Sequence, residues 1–462
     1  MFNNISILNQ TYKFHFIGIG GIGMSGLAKI LLTKGFSVSG SDTKKSVLTD
    51  ELIKLGAKIY FGHSKDNLAN ANVVVYSAAI KSDNCEFEEA INRKVILIPR
   101  SELLNEISSF SISIAVSGMH GKTTTSSILS KIFLDNSFDP TILLGGIAPF
   151  IKSNSYCGRG NYTIYEACEA YGALYSYNPT FIIVTNIELE HLDYFNNLDH
   201  ILKEFNDFIN RIPFYGKLFI NGDDKNLIQL TRLYRKPLFS FGIENLNLTL
   251  SAKDIKYNTT STSFDLIFNN KNIGKINSPL YGKHNVYNVL AAISVSLSLG
   301  INFEFVSQSI KNFVNSERRL QYIGQTKTVK VFSDYAHHPT EISATLDSIR
   351  QLDPKARVIT IFQPHLYSRT KQFVKEFANS LEKSDLVYLL PIYPARELPM
   401  QGVSSENIEK LLKDKKIKTS CFSSDEELLI HLKGFEFNRD IILLVGAGDI
   451  HDFATKVLEV IG

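Results

Sequence analysis

Short apolar runs alternate with longer amphipathic segments along most of the chain. The runs are brief and almost continuously apolar, which is typical of parallel strands that are covered on both faces. Glycine-rich or polar turns follow several of them and lead into helical patterns, as in α/β units. The sequence therefore predicts buried strands at residues 14–17, 73–76, 112–116, 181–185, 358–362, 386–390 and 441–445.

These α/β units fall into three groups, and 462 residues suit about three domains at roughly 100–200 residues each. We predict domains at residues 1–104, 105–316 and 317–462. A polar segment at about 239–276, rich in Thr, Ser and Asn, predicts a β-rich insertion within the second domain. The predicted fold class is α/β with mostly parallel sheets.

Composition limits the partners and the compartment. A formal net charge of +3, without a basic block, gives no reason to expect a nucleic-acid or membrane-surface partner. The four cysteines form no CxxC pair, which fits a reducing cytosol. We recognise no signal peptide and no apolar run of about 18 residues, so we expect a cytoplasmic protein without a membrane span.

The first motif, FIGIGGIGMSG, places Gly18, Gly20 and Gly23 in GxGxxG spacing after a predicted strand. Such glycines permit a tight turn and let the backbone approach a phosphate at a helix N-terminus. Ser41 and Asp42 follow a second predicted strand, where an acid usually accepts a hydrogen bond from a ribose hydroxyl. Alone, this motif indicates a nucleotide diphosphate with NAD as the default, or a glycine turn that binds no ligand.

The second motif, SGMHGKTTTSS, follows the predicted strand at residues 112–116 and resembles a shortened P-loop. Val116 stands where the strict GxxxxGK[ST] pattern has its first glycine, but Gly121, Lys122 and Thr123 are present. Backbone N–H groups would cradle the phosphates, the lysine would neutralise them and the threonine hydroxyl could bind Mg²⁺. Two phosphate loops of different types suit neither a simple dehydrogenase nor a simple NTPase.

Acidic residues follow two further predicted strands. Glu166 stands at a strand end about 43 residues after Thr123, a suitable position for the Mg²⁺ carboxylate that a P-loop needs. His191 lies in the segment IVTNIELEHLDYF. Histidine is a less usual ligand for Mg²⁺, so spacing alone leaves a structural and a functional role for His191 equally open.

The segment LYGKHNVYNVLAAISV predicts a loop that opens a helix. Asn285 and Asn288 are three positions apart and share one face of this helix. Their amides offer both a donor and an acceptor for an adenine edge, but Asn285 could equally cap the helix. Both interpretations remain open on spacing alone.

The last predicted domain gathers polar residues after strands, where α/β sheets bind ligands. Arg369 could hold a small carboxylate through two parallel hydrogen bonds. A His-His-Pro sequence is more often a surface turn, but two other polar groups at similar strand ends favour a functional role. These residues are Arg318, Arg319, Asp334, Tyr335, His337, His338, His365 and Arg369.

Taken in order, these motifs resemble the Mur ligase family over essentially the whole chain. The set comprises GIGGIGMSG, SGSD, GMHGKTTT, EACE, TNIELEHLDYF, GKHNVYN, ERR, DYAHHPTE and FQPHLYSRT. It is far more specific than any single member. The resemblance implies an N-terminal Rossmann-like domain for a UDP-sugar, a central P-loop ATPase domain and a C-terminal Rossmann-like domain for an amino acid.

The resemblance also implies an activity, ATP-dependent ligation of L-alanine to the lactyl carboxylate of UDP-N-acetylmuramate through an acyl phosphate. GIGGIGMSG is shared with the murein tripeptide ligase of the same family, whereas FQPHLYSRT and PIYPARE favour L-alanine. The alternatives are that tripeptide ligase, a nicotinamide-dependent oxidoreductase or a P-loop nucleotide switch. Cys168 and Tyr171 depart from the family pattern, which usually has acids there.

Site residues follow from the same resemblance. It implies that Lys122, Glu166 and His191 are catalytic. It also implies that Thr123 and Glu166 hold Mg²⁺ or Mn²⁺ and that His191 binds or orients a second such ion. The predicted ATP contacts are Gly118, Met119, His120, Gly121, Lys122, Thr123, Thr124, Asn285, Asn288, Arg319 and Asp334. The predicted UDP-sugar contacts are Gly18, Gly20, Gly21, Gly23, Ser41, Asp42 and His63. The predicted amino-acid contacts are Tyr335, His337, His365 and Arg369.

Overall fold

A computed structural model describes residues 11–190, 194–245, 247–258, 260–395 and 397–462. Two compact units can be separated by the contacts within each. The first unit takes in the described residues of Met1–Lys253, Asp265–Ile276 and Tyr287–Val314. The second takes in those of Asp254–Phe264, Asn277–Val286 and Asn315–Gly462.

The first sheet has five parallel strands in the order β3-β2-β1-β4-β5. Its strands are β1 (Lys13–Ile17), β2 (Ser37–Asp42), β3 (Lys58–Phe61), β4 (Val73–Tyr76) and β5 (Ile96–Pro99). The helices are α1 (Ile22–Thr33), α2 (Val47–Lys54), α3 (Cys85–Asn92) and α4 (Arg100–Ser108), with a short 3₁₀ helix at Lys65–Leu68. The chain order reverses beside β1, and such a point in an open α/β sheet is where ligands bind.

The second sheet has ten strands in the order β15-β14-β13-β12-β11-β10-β6-β9-β7-β8, and it is parallel from β13 to β7. Its first strands are β6 (Ile112–Ser117), β7 (Thr141–Ala148), β8 (Ser153–Tyr156), β9 (Tyr162–Glu166) and β10 (Phe181–Val184). The others are β11 (Lys217–Asn221), β12 (Leu238–Gly242), β13 (Leu250–Tyr257), β14 (Thr262–Phe268) and β15 (Lys271–Ser278). The predicted β-rich insertion therefore extends one side of this sheet.

Five helices accompany these strands in the described part of the chain. They are α5 (Lys122–Asp135), α6 (Leu198–Asn210), α7 (Lys225–Thr231), α8 (Lys283–Ser298) and α9 (Phe303–Lys311), and a 3₁₀ segment covers Ala170–Ser176. Within that segment Tyr171 has a φ of 56°, in the left-handed region that side chains rarely adopt.

The third sheet has the order β16-β17-β21-β18-β19-β20, and only β16 is antiparallel. Its strands are β16 (Gln321–Gln325), β17 (Val329–Asp334), β18 (Arg357–Phe362), β19 (Leu386–Leu389), β20 (Lys418–Cys421) and β21 (Asp440–Val445). The helices are α10 (Pro339–Leu352), α11 (Tyr367–Gln372), α12 (Val374–Leu381), α13 (Glu406–Asp414), α14 (Asp425–Lys433) and α15 (Ile450–Ile461).

The seven predicted strands are confirmed to within about one residue at each end. The central ones are buried along their whole length, as in β10 and β21, because both faces of a parallel sheet are covered. The three-domain α/β architecture follows from the three sheets. The predicted boundary after Leu104 falls inside α4, and the exact domain limits stay predictions. Within the described ranges, no helix is long and apolar enough to cross a membrane.

Candidate active site

The glycine loop (residues 18–23) joins β1 to the N-terminus of α1. Gly18 has a φ of 81°, and its N–H donates to the carbonyl of Ser41 at 2.9 Å. The N–H of Gly20 donates to Asp42 Oδ2 at 2.8 Å, and a Cβ on Gly20 would lie 2.8 Å from that same oxygen. The predicted residues Gly18, Gly20 and Asp42 therefore lie together, and Asp42 fixes the loop by holding its backbone.

A buried carboxylate, which was not predicted from the sequence, contacts Ser41 next to this loop. Glu86 is fully buried and accepts hydrogen bonds from Ser41 Oγ at 2.5 Å and from Asn67 Nδ2 at 2.6 Å. His63 Nδ1 lies 3.0 Å from Ser41 Oγ and 3.4 Å from Glu86 Oε2. Burial acts to raise the pKa of Glu86, but hydrogen bonds from His15, Ser41 and Asn67 outweigh it and lower the pKa to about 2.

Ser41 and His63 were both predicted to bind the UDP-sugar, but they differ in how far they are buried. Ser41 is fully buried and its hydroxyl donates a hydrogen bond to Glu86. Ser41 is therefore placed to support neighbouring side chains. The His63 side chain keeps 21% of its surface exposed, which leaves the imidazole accessible to a ligand.

The P-loop (residues 118–123) joins β6 to α5. Gly118 and Gly121 have φ values of 120° and 81°, and a Cβ on Gly121 would lie 2.3 Å from Asn288 Oδ1. Val116 is fully buried within β6, opposite Glu166 in the register of β9. The position that holds the first glycine in the strict motif therefore belongs to β6 in this chain, and the loop begins at Gly118.

Lys122 is the cation at the first position of α5. Its Nζ donates to the carbonyls of Gly118 at 2.5 Å and Met119 at 3.0 Å, and it contacts Glu169 Oε1 at 2.9 Å. Burial acts to lower the pKa of Lys122, but the carboxylate of Glu169 outweighs it and raises the pKa to about 12. The ammonium group is therefore charged at neutral pH and is held at the loop.

Oxygen donors of the kind that Mg²⁺ prefers lie next to this lysine. Thr123 Oγ1 donates to Glu166 Oε2 at 3.1 Å, and Ser126 Oγ lies 3.3 Å from Glu166 Oε1. The N–H of Gly145 also donates to Glu166 Oε1, so the carboxylate is held from two sides. This donor set fits a hard divalent cation. His191, predicted to bind or orient a second Mg²⁺, lies outside the described residues.

The segment after β10 supports the P-loop from the adjacent strand end. Thr185 Oγ1 donates to the carbonyl of His120 at 2.6 Å. Asn186 both accepts from the His120 N–H at 2.9 Å and donates to its carbonyl at 3.0 Å. The imidazole of His120 contacts the carboxylate of Glu188. The segment TNIE therefore fixes the conformation of the loop.

A cleft of about 300 Å³ unites the glycine loop with the P-loop. Gly21 and Gly23 of the glycine loop line this cleft together with Lys122 and Glu166. Other lining residues were not predicted from the sequence, among them Ser77, Arg100, Leu143 and Gly145, and Cys168 also lines the cleft. Arg100 could have been predicted from the sequence, because it directly follows β5 at a strand end.

Arg100 and Cys168 both line this cleft, and each influences the pKa of the other. Burial acts to lower the pKa of Arg100, but Tyr177, Cys168 and Glu166 outweigh it and raise that pKa. Burial, followed by the charge of Glu169, raises the pKa of the Cys168 thiol. The thiol is therefore neutral at neutral pH.

Asn285 and Asn288 both lie on α8, which begins at Lys283. Asn285 therefore stands inside the helix and does not cap it. Its Nδ2 donates to the carbonyl of Tyr281 at 2.7 Å. Asn288 Oδ1 lies 3.3 Å from Thr125 Oγ1 and adjoins Gly121 of the P-loop. A contact with adenine stays a prediction for both residues.

In the second unit, Asp334 ends β17 and is buried. It accepts hydrogen bonds from the N–H groups of Leu320 at 2.6 Å and Ala336 at 2.7 Å. Burial raises the pKa of Asp334 to about 6, although Arg319 acts to lower it. The guanidinium groups of Arg318 and Arg319 lie 4.7 and 5.2 Å from the ring of Tyr335. These predicted residues therefore form one cluster at a strand end.

A second cluster of the same unit surrounds Arg369. Its Nη1 lies 3.2 Å from His365 Nδ1, and the ring centroids of His337 and His365 are 6.0 Å apart. Burial lowers the pKa of His337 well below its usual value, and burial followed by Arg369 lowers the pKa of His365 to about 4. Both imidazoles are therefore neutral at pH 7, and Arg369 supplies the positive charge of this cluster.

Three family models match successive parts of the chain. Residues 13–111 match "Mur ligase family, catalytic domain", residues 116–296 match "Mur ligase middle domain" and residues 318–448 match "Mur ligase, glutamate ligase domain". A protein of Aquifex aeolicus named UDP-N-acetylmuramate–L-alanine ligase is 40% identical, over 97% of each chain.

Two solved structures are similar over nearly the whole chain. The UDP-N-acetylmuramate–alanine ligase of Thermotoga maritima has a TM-score of 0.83 and 26% identity, over 97% of this chain and 98% of its own. A murein peptide ligase of Psychrobacter arcticus has a TM-score of 0.74 and 23% identity, over 98% and 99%. At that identity, the second likeness supports the fold alone.

Proposed function

The chain belongs to the Mur ligase family, and from this premise we propose that it joins L-alanine to UDP-N-acetylmuramate with cleavage of ATP to ADP and phosphate. The observation that carries this proposal is the cleft that combines the glycine loop with Lys122 and Glu166. A UDP-sugar needs the first loop and phosphoryl transfer from ATP needs the second. Relatives named for this reaction, at 40% identity over nearly their whole length, support the same substrates.

A carboxylate is a poor electrophile, so the reaction begins by giving it a leaving group. The lactyl carboxylate attacks the γ-phosphorus of ATP, which forms an acyl phosphate and releases ADP. The amine of L-alanine then attacks the acyl carbon, loses a proton and expels phosphate, and an amide bond remains. Lys122, charged and fixed at the P-loop, stabilises the negative charge on the transferring phosphoryl group.

A divalent cation belongs to this proposal. Thr123 and Glu166 would hold Mg²⁺ or Mn²⁺ through hard oxygen atoms, and His191 is proposed to bind or orient a second ion. Bound there, the ion would supply further positive charge to the phosphate oxygens. The chain's own contribution is the fixed carboxylate of Glu166, which the backbone of Gly145 and the hydroxyl of Ser126 orient.

The two clusters of the second unit receive separate substrates. We assign Arg319 and Asp334 to ATP, as contacts for phosphate and ribose, and Asn285 and Asn288 to adenine. Tyr335, His337, His365 and Arg369 would bind L-alanine, whose carboxylate suits the planar fork of a guanidinium. We also propose a cytoplasmic location, which the four free cysteines support because such thiols persist in a reducing compartment.

Phosphate release tests the function directly. Purified protein is incubated with ATP, Mg²⁺ and UDP-N-acetylmuramate, and then with L-alanine, glycine, L-serine or the murein tripeptide. We expect release that depends on both the UDP-sugar and L-alanine, with a mass increase of the UDP-sugar by one alanine residue. Release that depends on the tripeptide would indicate the tripeptide ligase, and hydrolysis without an amino acid would indicate a nucleotide switch. Binding of NAD(P)H without any ligation would instead indicate an oxidoreductase.

A further inference from the structure

Arg100 is the cationic side chain of the cleft that the proposed reaction does not yet use. It begins α4 directly after β5, and β5 pairs with β4 at the edge of the first sheet. The last residue of β4, Tyr76, is followed by Ser77, which lines the same cleft. Two adjacent strand ends thus contribute side chains to one wall, the position where α/β sheets bind ligands.

The guanidinium group of Arg100 lies against the first turn of α1. A Cβ built on Gly23 would approach its Nη1 to 3.0 Å and its Cζ to 3.3 Å. Glycine at position 23 therefore leaves room for the arginine head beside the helix N-terminus. Gly21, Lys122 and Glu166 line the same cleft as Arg100.

Among the described residues, no carboxylate lies within 4.0 Å of this guanidinium group. Lys122, the other cation of the cleft, is paired with Glu169 at 2.9 Å. A guanidinium that is partly buried, as that of Arg100 is, is usually matched by an anion. The neutral thiol of Cys168 does not supply one. Glu166 influences the pKa of Arg100 without forming an ion pair with it, so an anionic group of a ligand that enters the cleft can pair with the guanidinium.

We propose that Arg100 binds an anionic oxygen group of the UDP-sugar, and that this group is the carboxylate that accepts the phosphoryl group. The inference rests on the proposed function. The diphosphate of the same substrate has its own donors in the backbone of the glycine loop and in the N-terminus of α1. The acceptor carboxylate must instead lie within reach of the γ-phosphate, close to Lys122 and Glu166. A planar fork matches a carboxylate, and its charge reduces the repulsion between two anions that must meet.

Two related nucleotides distinguish the carboxylate from the diphosphate. UDP-N-acetylglucosamine carries the same diphosphate as UDP-N-acetylmuramate but lacks the lactyl carboxylate. The affinities of both are measured by calorimetry for the wild-type protein, Arg100→Ala and Arg100→Lys. Arg93→Ala serves as the matched control, since Arg93 belongs to the same domain but pairs with Glu89 on α3.

For Arg100→Ala, the affinity for UDP-N-acetylmuramate should fall about 10- to 100-fold, the effect of losing a charged hydrogen-bond partner. The affinity for UDP-N-acetylglucosamine should stay within about twofold, which also shows that the variant is folded. Arg100→Lys should recover only part of the loss, and Arg93→Ala should change neither affinity. In turnover, Arg100→Ala should raise KM for UDP-N-acetylmuramate and leave KM for ATP nearly unchanged.

Each other outcome has a distinct meaning. Equal weakening of both nucleotides would overturn the carboxylate assignment and place Arg100 at the diphosphate. Unchanged affinity for both, with an unchanged KM, would overturn the proposal altogether. If the wild-type protein itself bound no UDP-N-acetylmuramate, the proposed function would fail, independently of Arg100.

Discussion

The hydroxyl of Thr123 donates a hydrogen bond of 3.1 Å to Glu166 Oε2, although 43 residues separate the two in the chain. Thr123 is the last residue of the P-loop, which follows β6, and Glu166 is the last residue of β9. The two strands are parallel neighbours in the sheet, with Val116 opposite Glu166. Their carboxyl ends therefore deliver a hydroxyl and a carboxylate to the same point, where the proposed metal site lies.

Replacing this carboxylate should change the metal requirement of the reaction. Glu166→Gln keeps the size and one oxygen but removes the charge that attracts a divalent cation. The Mg²⁺ concentration for half-maximal phosphate release should rise at least about tenfold, because lost charge pairs of this kind are worth roughly 1.5–3 kcal/mol. Glu106→Gln, at an exposed position of α4, is the control. An unchanged Mg²⁺ titration of Glu166→Gln would place the ion on other residues.

Removing the P-loop cation should abolish chemistry while sparing the UDP-sugar. For Lys122→Ala we expect kcat to fall at least about 100-fold, the usual cost of one group that stabilises transition-state charge. The affinity for UDP-N-acetylmuramate should stay within a few-fold, because its diphosphate is proposed to bind the glycine loop.

Two further variants complete this test. Glu169 is buried and would lose its cation in Lys122→Ala, so the double variant with Glu169→Gln separates lost catalysis from lost stability. Lys131→Ala, which breaks an i,i+4 pair with Asp135 on the same helix, should leave kcat unchanged. Loss of UDP-sugar binding in parallel with kcat would contradict the separation of the two loops.

Amino-acid binding should depend on Arg369. L-alanine offers a carboxylate, an amine and one methyl group, and the carboxylate is its strongest feature for recognition. Losing one partner of a buried charged pair costs roughly 3–5 kcal/mol, which corresponds to a few hundredfold or more. Arg369→Ala should therefore raise KM for L-alanine by at least about 100-fold and leave KM for ATP within a few-fold. Arg369→Lys should rescue it partly, since lysine lacks the fork.

The control for this variant lies in the same domain. Arg439 pairs with Asp353 at 2.8 Å and its side chain is 66% exposed, so Arg439→Ala should change neither Michaelis constant. If Arg369→Ala raised KM for ATP as much as KM for L-alanine, Arg369 would belong to the phosphate site.

Acid should destabilise the protein through Glu86. Its pKa is lowered from 4.5 to about 2 in the folded state, so the folded protein binds fewer protons than the unfolded chain between these values. The stabilisation, on the order of 3 kcal/mol, is complete above pH 4.5 and is lost as the pH falls towards 2. His15 Nε2 and His63 Nδ1 each lie 3.4 Å from Glu86 Oε2.

Urea unfolding at pH 6, 4 and 3 measures this effect. The free energy of unfolding should fall with pH in the wild-type protein, and the decrease should be smaller in Glu86→Gln. Glu106→Gln, at its exposed position, should follow the wild-type curve. A Glu86→Gln variant with the same pH dependence as the wild type would show that other carboxylates govern acid unfolding.

The sequence by itself determined the strands, the fold class and both phosphate loops. These features are local: a strand is apparent from its apolar run, and each loop lies between a strand end and a helix start only a few residues away. Gly18 and Gly121 have positive φ values where the motifs require glycine. The departure at Val116 also has a local explanation, since this residue still belongs to β6.

Only the tertiary structure decided which side chains face a ligand and which support those that do. Lys122 and Glu169 are 47 residues apart in the chain, and Ser41 and Glu86 are 45 apart. Arg100 meets Gly23 because β5 and β1 end at the same edge of the first sheet. The order of strands in a sheet is set by the packing of the whole chain, and it cannot be deduced from the spacing of residues along the sequence. For this reason, no motif could predict that Ser41 is buried or that Arg100 lies in the cleft.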